Sequence, residues 1–129
     1  MKKKQNIDPS FSKEFRSTCP IACVLDFLGD KWTLLVIRDL FLNKHRYGEF
    51  SASPEGIPTN ILAERLKRLE AAGIIKKELY QNNPPRGEYY LTSKGADLGK
   101  VLSAMRQWAE HHVPGVVAPK KFPRVEIRD

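Results

Sequence analysis

The sequence predicts an α+β fold in which a group of helices runs directly into a two-stranded ribbon. Three observations carry that prediction. Ile61, Leu62, Leu66 and Leu69 recur at helical spacing in a segment that starts near Pro58 and stops at Gly73. Two strand-like runs follow at once, residues 74–80 and 88–91, separated by the turn-rich QNNPPRG. Beyond Thr92, the residues Leu98, Val101, Leu102, Met105, Trp108 and Ala109 form one stripe of a long helix. A short amphipathic helix followed by a ribbon with a basic tip is the shape of a winged helix-turn-helix, and that shape points to double-stranded DNA.

The remaining elements are justified in chain order. Residues 1–17 are polar and lysine-rich without a clear period, and are expected to form a flexible basic arm. Residues 20–28 form a short helix: Pro20 suits its first turn, and Ile21, Val24, Leu25 and Leu28 give it one apolar face. Gly29 ends it. Asp30 is the expected cap of a second helix over residues 31–43, whose WTLLVIRDLFL is apolar nearly all round and therefore central. A strand is the rival reading of LLVI. Residues 46–53 predict a third, short helix with Tyr47 and Phe50 facing inward, and SPEGIP a turn. Prolines in the ribbon tip should stop it from pairing further. Pro114 stops the last helix, and residues 114–129 are expected to be an irregular tail. The domain proper thus spans residues 18–113.

Composition narrows the function classes. With 129 residues there is chain for one modest core. No apolar run reaches the roughly 20 residues needed to span a bilayer, and the basic N-terminus lacks an apolar signal core. A cytoplasmic location and no membrane partner follow by default. The net charge of +7 and a pI near 9.5 favour a polyanionic partner. Between Pro58 and Lys94, seven basic residues stand against four acidic ones. Two cysteines and three scattered histidines make neither a disulfide framework nor a metal site, and no catalytic triad or phosphate loop is present, so neither an enzyme nor a cofactor is expected.

In a helix-turn-helix the second helix enters the major groove. Opposite the leucines it carries Thr59, Asn60, Ala63, Glu64 and Lys67, types that can contact base edges. Arg46, Arg65 and Arg68 suit phosphates, and Arg86 at the ribbon tip suits a minor groove or a phosphate. A plain solvated helix face and an ordinary basic hairpin are the alternative readings of the same residues. Cys19 stands just before Pro20, where helix amides favour a thiolate and raise its reactivity. Packing at an interface is the alternative for Cys19, and burial is expected for Cys23.

Several runs carry a family resemblance: Cys19-Pro20, Gly29-Asp30-Lys31-Trp32, Arg46-Tyr47-Gly48-Glu49-Phe50, Pro84-Pro85-Arg86, Glu88-Tyr89 and Leu91-Thr92 with Gly95. In this order, over residues 19–112, the chain resembles the HxlR family of bacterial winged-helix transcriptional regulators, relatives of the MarR type. The resemblance implies a homodimer on a pseudo-palindromic operator, with the first and last helices building the dimer. It also implies that Cys19 could sense an oxidant or electrophile, so that the effector is either such a compound or a small molecule. A winged-helix protein-interaction module without specific DNA binding is a further alternative.

Overall fold

The computed structural model describes residues 15–117 and 124–129. Among these residues, six helices and one antiparallel ribbon follow in the order α1 (Pro20–Leu28), α2 (Thr33–Phe41), α3 (Tyr47–Ser51), α4 (Thr59–Ala71), β1 (Ile75–Asn82), β2 (Pro85–Leu91), α5 (Ser93–Ala96) and α6 (Gly99–His112). The core gathers Ile37 and Leu40 from α2, Phe50 from α3, Leu62, Leu66 and Leu69 from α4, Ile75 from β1 and Leu91 from β2. Burying each such side chain contributes about 1.5–3 kcal/mol. The arrangement is a winged helix-turn-helix, with α2 central, α3 and α4 joined by the turn, and the ribbon as the wing.

Local chemistry sets the boundaries. Asp30 lies ahead of α2 and caps it from a preceding turn: its Oδ1 accepts from the Trp32 and Thr33 amides at 2.8 and 2.9 Å. The helix therefore begins at Thr33, not at Lys31. The segment LLVI is helical, as its capped start and length require. At the end of α4, Gly73 takes φ +74°, its amide donating to the Glu70 carbonyl while the Ile74 amide donates to that of Leu69. This six-to-one and five-to-two pair is the Schellman ending that glycine permits.

Three expectations about this frame are corrected. Tyr47 does not face inward: it is exposed, and its hydroxyl donates to the Thr59 carbonyl at 2.6 Å. The prolines do not end the pairing. Pro85 pairs with Asn82 and Arg86 with Gln81, and the chain reverses over Asn83 and Pro84, whose peptide bond is cis. The long last helix is two helices. Thr92 Oγ1 caps only α5, and the Leu98 amide bonds tightly back to Gly95, so that α5 sits against the Ile74 carbonyl while α6 crosses Phe41 at Gly99. Residues 124–129 of the tail are irregular apart from one parallel bridge between Ile127 and Leu91, with Val125 packed on the core. Residues 1–14 of the expected arm lie outside the described residues; Arg16 pairs with Asp26 of α1.

Helix α1 does not spend its apolar face on its own core. Phe27 and Leu28 are buried, but Ile21 is 71% exposed and Leu25 55%. Helix α6 buries no residue fully, and its Met105 and Trp108 are 52% and 64% exposed. No helix among the described residues is long and apolar enough to cross a membrane.

Candidate nucleic-acid interface

The outer side of α4 follows from its sequence. Leu62, Leu66 and Leu69 fill the inner stripe, which leaves Thr59, Asn60, Ala63, Glu64 and Lys67 exposed. Pro58 is the N-cap residue, and no side chain caps the first turn. Tyr47 reaches from α3 to the Thr59 carbonyl and fixes where that turn starts. Glu49 in turn fixes α3, its carboxylate accepting from the His45 and Arg46 amides at 3.0 Å. The His45 amide bond comes first among the influences that hold Glu49 below the usual carboxylate range.

Arg65 and Arg68 do not stand out toward a ligand. Arg65 Nε meets Asp30 Oδ1 at 3.2 Å, and its other nitrogen pairs with Glu64. Arg68 Nη2 meets Asp30 Oδ2 at 3.0 Å and Thr33 Oγ1 at 2.8 Å. Both side chains are largely covered, at 18% and 26% exposure. Burial alone would push the Asp30 carboxyl up. Hydrogen bonds from the Thr33 hydroxyl, the Trp32 and Thr33 amides and Arg65 outweigh it and hold the group far below the usual carboxylate range. These bonds tie α4 to the turn between α1 and α2, a structural role beside the phosphate role expected of the two arginines.

Arg46 and Arg86 meet at the wing. Arg46 Nε donates to Glu88 at 3.1 Å, and its guanidinium lies 3.8 Å from the Tyr80 ring centroid. An open groove of about 510 Å³ separates α3 from the wing. Arg46, Lys77 and Arg86 line it with Tyr47, Tyr80, Tyr89 and Glu49, so three cations, three aromatic rings and one carboxylate face one cleft. Sequence reasoning missed Lys77, Tyr47 and Tyr80 here. The Tyr47 signal was present in its closeness to Arg46, but a β-bulge between Leu79 and Gln81 inserts Tyr80 and reverses the strand's alternation. The outer edge of β2 is held by His45, whose carbonyl accepts the Tyr89 amide at 2.8 Å and whose ring stacks on Tyr90.

Cys19 is a free, exposed thiol at the N-cap of α1. Cys23 is also free and half-buried, its Sγ donating to the Ser17 carbonyl at 3.2 Å. It lines an apolar cavity of about 330 Å³ with Val24, Phe27, Ile74 and Leu98.

Comparison with known proteins agrees with this geometry. The model of the HxlR-like helix-turn-helix matches residues 27–116. An uncharacterized HTH-type transcriptional regulator of Synechocystis sp., sll1512, is 42% identical over 102 residues, covering 79% of this chain and 74% of the relative. The uncharacterized HTH-type transcriptional regulator YybR of Bacillus subtilis is 34% identical over 110 residues, covering 85% and 84%. Among solved structures, the redox regulator HypR in its oxidized form superposes with a TM-score of 0.64 at 33% identity, over 73% of this chain and 97% of that one. The chain belongs to the HxlR-like helix-turn-helix family of transcriptional regulators.

Proposed function

We propose that this regulator binds a pseudo-palindromic operator in a sequence-specific manner and does so as a homodimer. One observation carries the reading most directly. Tyr47 lines the cationic groove and also bonds Thr59, so the start of α4 and the wing form one continuous surface. On that surface Thr59, Asn60, Ala63, Glu64 and Lys67 face the major groove. Arg86 reaches a minor groove or phosphate from the wing, and Arg46 and Lys77 sit over the intervening backbone. Arg65 and Arg68 set the angle of α4, beside the phosphate role expected of them. A bidentate base contact from this face would contribute about 1–3 kcal/mol. The exposed apolar residues of α1 and α6, with Trp108 the largest, supply the surface for a second copy.

Footprinting on the DNA upstream of the protein's own coding region, with retardation assays on the fragment found, tests this. A dimer protects two half-sites about 34–36 Å apart or a multiple of that. Arg86→Ala weakens binding to operator and random DNA alike and lowers the salt slope by about 1. Unchanged affinity for both would remove the wing from the interface.

A second reading, in which Cys19 switches DNA release, is favoured by its exposure at the start of α1 beside the apolar face. The likeness to a redox regulator solved in its oxidized form supports it. Diamide then abolishes operator binding in the wild type and spares Cys19→Ser. Equal loss in both proteins would remove Cys19 as the sensor.

A further inference from the structure

We infer that residues 124–129 are a latch that sets the wing against the helical body, making Arg128 and Asp129 positioning residues for DNA binding. The segment is short, polar and at the surface, yet it touches both strands of the wing, the first residue of α5 and the turn after α2. Asn43, in the left-handed conformation just after α2, donates from its side-chain amide to the Arg124 carbonyl at 3.2 Å. Ile127 bridges Leu91, and the Arg128 amide donates to the Leu91 carbonyl at 2.9 Å. The Arg128 guanidinium lies 4.4 Å from the Tyr90 ring centroid and 3.4 Å from Glu78 on β1. Lys76 Nζ donates to the backbone oxygen of Asp129 at 2.8 Å. The Asp129 carboxylate accepts from the Ser93 amide at 2.7 Å and from its hydroxyl at 2.6 Å, which seats it on the first residue of α5.

These contacts converge where a two-stranded ribbon is weakest. An isolated hairpin is marginal in water, and its root decides its angle. Here β1 covers one edge of β2. On the outer edge His45 takes the Tyr89 amide, and two residues on Arg128 fills the Leu91 carbonyl. The outer edge is therefore closed at its root and open toward Arg86, which leaves the tip free to move while its origin is fixed. Cross-links to β1 through Lys76 and Glu78 keep the root from sliding along α5.

The test is deletion of residues 124–129 from the full chain, with Asp129→Ala as the milder variant. Amide exchange of the wing root and operator affinity are both measured. Ser93 amide exchange is expected to rise about tenfold or more in both variants, the scale of one lost hydrogen bond to a charged group. Operator affinity is expected to fall severalfold in the deletion and less in Asp129→Ala. If Ser93 and its neighbours keep their protection, the latch is overturned. If protection is lost but operator affinity holds, its role in positioning the wing for DNA is overturned. Only that affinity arm rests on the proposed function: wild-type protein that binds no DNA would refute that reading, while the exchange result would still decide whether the latch exists.

Discussion

Asp30→Ala is expected to lower stability by about 3 kcal/mol in urea unfolding at pH 7. Two losses combine. The Trp32 and Thr33 amides lose their acceptor, a capping loss of about 1 kcal/mol. Arg65 and Arg68 lose the carboxylate between them, and breaking a buried pair from one side typically costs about 3–5 kcal/mol. That figure is scaled down here because both arginines retain some solvent, and because Glu64 and the Thr33 hydroxyl remain beside them. Arg68 Nε is buried without a partner, so the group has little room to find another. The pH dependence has a definite sign. The Asp30 carboxyl titrates below its ordinary 3.8 in the folded chain, so its contribution is complete above about pH 4 and drains away as the pH falls further. Asp30→Asn keeps an acceptor for the amides, loses less at neutral pH, and flattens the stability curve below pH 4. An Asn variant as acid-sensitive as the wild type would contradict the assignment.

Gly95→Ala is the second large effect, expected to cost about 3 kcal/mol or more, at the upper end of overpacking. A Cβ at this buried position would lie 2.1 Å from the Ile74 carbonyl oxygen and 3.0 Å from a Leu91 methyl. The first obstacle is backbone and cannot rotate away. It is also committed: the Ile74 carbonyl accepts the Thr92 amide at 3.1 Å, and Thr92 Oγ1 holds the Gly73 carbonyl. Relief requires lifting α5 off the start of β1, and with it the Lys94 ammonium that donates to the Ala72 carbonyl at 2.8 Å. Thermal unfolding reads the loss directly. Gly48→Ala, where nothing stands within 4 Å of the added Cβ, is the control expected to cost far less.

What the sequence disclosed and what it withheld divide along physical lines. Periodicity exposed α4, because three leucines on one stripe and a glycine stop are local facts. It also exposed the outward residues from Thr59 to Lys67, since they are the complement of that stripe. Asp30 was legible as a cap, an interaction over two or three residues. Its grip on Arg65 and Arg68 was not, because those partners lie 35 and 38 residues away and any exposed arginine pattern looks the same. The split between α5 and α6 was hidden by an apolar stripe that runs on across it. The bulge between Leu79 and Gln81 hid the place of Tyr80 in the groove by breaking the two-residue rhythm on which strand reading depends. Residues 124–129 carry too much charge and too little pattern to announce a contact with the wing, and only their fit against Leu91 and Ser93 reveals it.

The position of Asp30 has a mechanical meaning as well as an energetic one. Gly29 alone separates it from α1, while two arginines one turn apart bind it to one face of α4. The helix with the exposed apolar face and the helix with the exposed polar face are thus geared together at a single tooth. The Asp30 carboxylate thus joins the end of α1 to α4 at the surface, beside the core contacts that Phe27 and Leu28 already make.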